Sequence, residues 1–279
     1  MDSNLCFKGP GPVQPCSWRI NARAGTIAVA AGIADYDSKG TASEADDTIT
    51  ITGFAIKQPL TVVDGANQTG IMLDLLAAGS TTTASVSFGT PPAALTDRGG
   101  IVGVDLGTTG VLRLSQVSPT QTSAVVPSLT AITGATGYEF LGFASEPVTD
   151  GTAGQSVVIR RGITSASSIA AGEWMEPPAG LASDRATVSL TPVAGAFAHV
   201  IEIDTNPTTG MGNRTMSIII LDDTTTVTLP VEFAPLATGP LSVTANAFDP
   251  GTGFEVRNFE VDSLIDSIQR LAGETIELN

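Results

Sequence analysis

The chain has 279 residues, a net charge of −15 at neutral pH and only 13 lysines and arginines. So acidic a chain repels the phosphate backbone and offers no basic patch, which excludes nucleic-acid binding and disfavours anionic membrane surfaces. Charged residues make up 15% of the sequence, while 30 glycines and 17 prolines interrupt stretches rich in threonine and valine. This composition predicts an all-β protein of short strands joined by turns.

The N-terminal segment, residues 1–20, is rich in glycine and proline and contains the two cysteines, Cys6 and Cys16. A disulfide between them would tie down the terminus and predicts an oxidising, extracytoplasmic compartment. Two free thiols in a loose tail are the alternative. No secretion signal is visible. No stretch reaches the roughly 18 to 20 continuous apolar residues that a membrane helix needs.

Strand patterns recur over residues 21–165, which we assign to a β-rich domain. In one of them Ala84, Val86 and Phe88 alternate with polar residues, so they lie on one side of a strand. Two runs flank the sequence Gly-Thr-Thr-Gly at 107–110, which predicts a hairpin. The predicted strands of this domain are 26–34, 47–56, 81–88, 101–106, 111–114, 138–143 and 156–160.

An acidic segment at residues 35–47 has the spacing of a calcium-binding loop. Asp35 and Asp37 occupy the first and third positions, a glycine the sixth and Asp46 the twelfth. Lys39 stands where an oxygen ligand is expected, and no helix pattern flanks the segment. A solvated acidic loop between two strands is therefore the preferred interpretation, and we assign no metal ligand.

Two glycine-rich turns have a second interpretation. Residues 101–110, Ile-Val-Gly-Val-Asp-Leu-Gly-Thr-Thr-Gly, resemble the first phosphate loop of the sugar-kinase and actin-like ATPase superfamily. Residues 249–253, Asp-Pro-Gly-Thr-Gly, resemble its second phosphate loop. The resemblance implies ATP held by backbone amides and a metal acting with the aspartate. Those folds need many long helices, whereas this sequence has one short helical pattern, so we assign no cofactor.

His199, the single histidine, lies in an alternating run at 197–203 and is predicted to occupy a core or edge position. A Ser-His-Asp triad would have to use it, and no nucleophile-elbow motif accompanies it. Cys6, Cys16 and His199 are too few for a zinc site. Acidic residues are plentiful, but two Trp and two Tyr offer sugar rings little surface for stacking. We therefore predict that the chain is not an enzyme.

The second half, residues 174–279, is predicted to be a β-sandwich domain that begins near Pro177 and Pro178. Its strand patterns follow at intervals of about a dozen residues, at 186–191, 197–203, 215–221, 226–231 and 241–247. A helical spacing of apolar residues covers 262–272, with Gly273 after its end. The predicted fold class is all-β, with two β-sandwich-like domains and one short C-terminal helix.

Five runs of this half follow one another in a suggestive order. They are 177–181 (Pro-Pro-Ala-Gly-Leu), 186–196, 199–203 (His-Val-Ile-Glu-Ile), 224–230 and 241–247. This order resembles the strands of a fibronectin type III-like or related immunoglobulin-like module. Family members usually carry Trp where Leu190 stands and Tyr near His199. The resemblance implies a spacer or adhesion architecture rather than a chemical activity.

Together these patterns predict a non-catalytic structural or adhesive protein of an extracytoplasmic surface, secreted or at the cell surface. An envelope, appendage or assembly subunit fits this description. Its expected partners are other protein subunits or surface components, in a homo-oligomer or filament, with no nucleic acid and no membrane insertion. The alternative is a carbohydrate- or small-ligand-binding module that depends on calcium, for which the acidic segment 35–47 is the motivating feature.

Overall fold

A computed structural model describes residues 24–37, 48–147, 153–205, 214–230, 240–251 and 268–278. In chain order its strands are β1 Gly25–Asp37, β2 Thr48–Val62, β3 Asp74–Leu75, β4 Thr81–Ser87, β5 Asp97–Asp105, β6 Val111–Val117, β7 Ser123–Pro127, β8 Gly137–Ser145, β9 Ala153–Ile163, β10 Ile169–Ala170, β11 Ala179–Ser183, β12 Thr187–Thr191, β13 Ala198–Thr205, β14 Arg214–Ile220, β15 Thr226–Thr228, β16 Leu241–Asp249 and β17 Arg270–Leu278. Within this part of the chain the helical elements are two 3-10 turns, Gly107–Thr109 and Leu129–Ala131. The all-β prediction is therefore confirmed.

Every strand predicted from an alternating or apolar run overlaps an observed strand. In β4 and just after it, Ala84, Val86 and Phe88 are buried, while Ser85 and Ser87 between them are exposed. The predicted hairpin is also present, since β5 and β6 pair antiparallel on either side of the Gly-Thr-Thr-Gly turn. Sequence reasoning missed five strands, namely β3, β7, β10, β11 and β17.

The predicted C-terminal helix is wrong where the structure describes it. Its last residues, 270–272, begin β17, and the rest of the predicted helix before residue 268 lies outside the described residues. β17 pairs antiparallel with β16 on one side and with β9 on the other. Both of its edges are therefore used in the sheet. Pairing with two partners outweighs a local helical spacing, because strand formation depends on cross-strand contacts that the local sequence does not contain.

One eight-stranded sheet runs through both halves, in the order β14-β13-β16-β17-β9-β8-β5-β6. The order has a pseudo-twofold pattern. The antiparallel pairs β16–β17 and β8–β9 meet at the centre, and the antiparallel pairs β13–β14 and β5–β6 lie at the ends. The halves join through their last long strands, β9 and β17, over six antiparallel residue pairs.

Two smaller sheets pack against this large sheet and form two sandwiches. We call β1–β10 the first module, in which β10-β4-β7 covers β9-β8-β5-β6, and β11–β17 the second module, in which β11-β12-β15 covers β14-β13-β16-β17. The buried residues of the first core end at Trp174, and those of the second begin at Leu181. Pro177 and Pro178 lie between them. The prediction that residues 174–279 form a domain of their own stays a prediction.

A row of small buried residues crosses the large sheet where the modules meet. It runs over four neighbouring strands and consists of Ala144, Ser156, Ala272 and Ala247. Met175 packs on the two alanines of the second module, and the neighbouring Trp174 Nε1 donates to the Phe88 carbonyl at 2.6 Å. The connecting segment is therefore packed over the middle of the sheet, because small residues there leave room for it.

Candidate interaction surfaces

The cysteine pair and most of the acidic segment lie outside the described residues. Of the predicted calcium loop, the structure places Asp35 and Asp37 at the exposed end of β1, whereas Asp46 is not described. Cys6 and Cys16 are not described either, so the disulfide stays a prediction. In the described ranges, no three His, Cys, Asp or Glu side chains come together as a metal site would need.

In each of the two segments that resemble phosphate loops, the aspartate binds a glycine amide two residues further on; residues 252 and 253 of the second segment lie outside the described residues. Asp105 Oδ1 accepts a hydrogen bond from the Gly107 backbone N–H at 2.8 Å, in the turn between β5 and β6. Asp249 Oδ1 accepts from the Gly251 N–H at 2.8 Å, and its Oδ2 accepts from Arg270. Short aspartate side chains commonly close turns in this way. In both turns, therefore, the carboxylate and a glycine amide hold the chain's own backbone.

His199 occupies a core position, as its alternating run predicts. Its imidazole is buried, and Nε2 accepts the Val193 backbone N–H at 2.9 Å. Burial lowers the pKa of His199, and the nearby Asp223 carboxylate opposes that shift only in part. An imidazole that accepts at Nε2 is neutral, with its proton on Nδ1. His199 therefore holds the turn before β13, and this role occupies the nitrogen that a general base would use.

A buried ion cluster in the first module escaped sequence reasoning. Glu139 is 1% exposed, and its two carboxylate oxygens accept from Arg113 Nε at 3.1 Å and from Arg161 Nε at 3.0 Å. These residues come from β8, β6 and β9. Gly103 of β5 stands directly between Arg113 and Glu139 in the sheet, and a Cβ there would lie 2.5 Å from the Leu112 carbonyl oxygen.

This cluster is a cross-link between strands. Both oxygens of Glu139 are engaged, so its charge is compensated, as a buried charge requires. Gly103, inside the otherwise apolar run 101–104 of β5, is the signal that could have revealed it, because a missing side chain lets a long arginine reach across. The partner of that arginine could not be known without the strand order.

The first candidate interaction surface is the ribbon formed by β1 and β2, which pair antiparallel along their length. Near its base, Ala28, Ala30 and Ile56 pack against the first core. Toward its other end, four consecutive residues of β1 from Gly32 to Asp35 are exposed. Successive side chains of a strand point to opposite faces, so β1 has both of its faces in solvent over these four residues.

The second candidate surface is β14, at one end of the large sheet. β14 pairs with β13, and no strand of the described residues pairs with its other edge. Ile219 and Leu221, on its outward side, are 46% and 56% exposed. At the opposite end of the sheet, β6 is flanked by β1 and β7. The two ends of the sheet therefore differ in how they are covered.

Comparison with known proteins gives no family for this chain. No protein-family model matches it, and no curated protein sequence is similar to it. In the part of the chain that the structure describes, no helix is long and apolar enough to cross a membrane.

Proposed function

We propose that this chain is a non-catalytic structural or adhesive subunit of an extracytoplasmic surface, built from two immunoglobulin-like sandwich modules. The observation that carries the proposal is the order of the strands in the large sheet, which is the same in the two halves. The two halves are joined where β9 pairs with β17. Modules of this kind serve widely as spacers and adhesive units on surfaces. A β-sheet that is continuous through two such modules fixes their relative position, which suits a structural protein.

The strand order of the second module supports the immunoglobulin-like part of the proposal. In such sandwiches the first, second and fifth strands share one sheet, and the third, sixth and seventh share the other. Counted from β11, the first group is β11, β12 and β15, and the second is β13, β16 and β17. The fourth strand, β14, joins the second group. Leu190 is buried in this core, at the place where the family usually has Trp.

The strand order of the first module also supports the immunoglobulin-like part of the proposal. Its sheets β4-β7 and β6-β5-β8-β9 match β12-β15 and β14-β13-β16-β17 of the second module strand for strand. Tyr138 at the start of β8 donates its hydroxyl to the Pro127 carbonyl at the end of β7, at 3.0 Å. Immunoglobulin-like domains often carry such a tyrosine at this corner. Burial raises the pKa of Tyr138, so the phenol remains a donor.

The ionisable and polar groups inside the modules support a structural role. Glu139 links strands, His199 holds a turn, and Trp174 fastens the connecting segment to Phe88. Each of these groups hydrogen-bonds to another part of the chain's own fold. A disulfide between Cys6 and Cys16, and a net charge of −15 that favours solubility, would suit an oxidising exterior.

Localisation on the natural source tests the proposal. Antibodies raised against the folded chain are applied to intact cells or particles and, in parallel, to lysed ones, and the label is imaged by electron microscopy. We expect labelling of the outer surface without lysis. Label that appears only after lysis would contradict the proposal, as would two free thiols per chain in unfolded, unreduced protein from the source.

A further inference from the structure

β14 lacks the features that natural edge strands use against pairing with other chains. Such strands usually carry a lysine, a proline or a bulge, or are covered by another element. Residues 215–221 read Thr-Met-Ser-Ile-Ile-Ile-Leu, with no charge, proline or glycine. The β13–β14 register is continuous from His199/Ile220 to Thr205/Arg214, without a bulge. After Arg214, the rest of β14 together with Leu221 is thus an uncharged edge of seven residues without a bulge.

We propose that β14 pairs antiparallel with β14 of a second copy of this chain, so that the two large sheets become one. This inference rests on the proposed function, since it supplies the contact through which subunits assemble. A twofold pairing of this kind uses one patch on both copies and is self-complementary. The chain already joins its own two modules in the same manner, edge to edge and antiparallel, through β9 and β17.

The charges at the two ends of β14 select the antiparallel direction. The strand begins at Arg214 and is followed by Asp222 and Asp223. A parallel pair of copies would bring four aspartates together at one end, in a protein that already carries a charge of −15. An antiparallel pair separates the acidic ends by about 27 Å at ~3.4 Å per residue, well beyond the Debye length of ~8 Å.

The register centred on Ile218 uses both the charges and the exposed apolar residues. It places position 214, a cation, opposite position 222, an anion, at each end of the interface. It also sets Ile219 opposite Ser217 of the second copy and diagonal to the second Ile219, within reach of a long aliphatic side chain. Ile219 and Leu221 then each gain a cross-strand neighbour from the other copy, Ser217 and Thr215 respectively.

Sedimentation velocity of the full chain over a roughly hundred-fold range of concentration tests this pairing. We expect the wild-type protein to pass from monomer to dimer, and Ile219→Lys to raise the dissociation constant by about tenfold or more, since a lysine on an edge opposes pairing. Leu75→Lys is the matched control, because Leu75 is also exposed and lies on β3 of the first module. It should dimerise like the wild type.

Amide hydrogen exchange at low and high concentration locates the contact. We expect the alternate amides within 215–220 that are not bonded to β13 to gain protection as the protein is concentrated, and not in Ile219→Lys. A monomer throughout, or a dimer that Ile219→Lys leaves intact, or protection gained on the β1–β2 ribbon instead of β14, would each overturn the inference. Surface labelling of the source together with a monomeric protein would reject β14 pairing and leave the proposed function standing. Dimerisation without surface labelling would do the reverse.

Discussion

The two modules share a strand order and fill their cores with different chemistry. The first core contains aromatic residues, with Phe88 and Phe140 edge to face at a centroid distance of 5.8 Å and Trp174 beside them. The second core is aliphatic, and its fully buried side chains include Val188, Ile201 and Ile203. The same sandwich thus forms with an aromatic-containing or an aliphatic core. The total volume of the core side chains and their alternation along the strands matter more to the fold than the identity of each core residue.

The modules also differ in how they hold their internal polar groups. In the first module, Glu139 ties β8 to β6 and β9 through two arginines. In the second, the neutral His199 holds one turn. The second also has the Arg270–Asp249 ion pair between β17 and β16, but among the described residues only the first module buries a carboxylate completely. Four experiments test how far the two modules differ.

Separating the modules should have the largest effect. A fragment of residues 174–279 should fold alone, because every buried residue of the second core lies between Leu181 and Ala245. A fragment that ends at residue 165 should be much less stable, since the first core also uses Ile169 and Trp174. Dispersed amide proton NMR shifts would report folding. Collapsed, undispersed shifts for the 174–279 fragment would mean that the two halves share one folding unit.

Phe140→Ala should destabilise the first module by about 3–5 kcal/mol, the usual cost of removing a fully buried aromatic ring. Phe143→Ala on the same strand is the control, because Phe143 is 44% exposed, and it should cost about 1 kcal/mol or less. Urea unfolding followed by tryptophan fluorescence, to which Trp174 of the first core contributes, measures the loss. Amides of the second core should keep their exchange protection; if they lose it to the same extent, the modules unfold as one.

Acidification should weaken the second module through His199. Burial lowers the pKa of His199 in the folded state below its unfolded value of ~6.5. The unfolded chain therefore takes up a proton first, and stability is lost as pH falls below ~6.5, by at most about 1.4 kcal/mol per pH unit. His199→Gln should remove this part of the slope in unfolding measured between pH 7.5 and 5.5. Equal slopes in variant and wild type would contradict it.

The smallest effect is expected where the modules meet. Burial raises the pKa of Glu274 on β17, and the Glu146 carboxylate adds to this. Glu274 therefore favours the folded state when protonated, and that contribution is lost as pH rises through its folded pKa. Glu274→Gln should be more stable than wild type at pH 7, by about 0.5 kcal/mol given its exposure. Glu277→Gln, on the exposed side of β17, should leave thermal unfolding unchanged; a loss of stability in Glu274→Gln would refute this account.

The sequence alone determined the elements whose signal is local. Alternation of Ala84, Val86 and Phe88 specified both a strand and its buried face, and the Gly-Thr-Thr-Gly turn specified the β5–β6 hairpin. The core position of His199 followed from the same period of two. These features are predictable because a side chain's face in a strand depends only on its neighbours along the chain.

Tertiary structure decided the features that depend on distant partners. β17 is a strand because β16 and β9 lie on either side of it, although a helical spacing of apolar residues leads into its first residues. Glu139 is paired because β5, with Gly103, places β6 within reach of β8. The exposure of Ile219 follows from the position of β14 at the end of the sheet. Strand order is set by pairing between distant segments, and a local pattern carries no record of which strands will become neighbours.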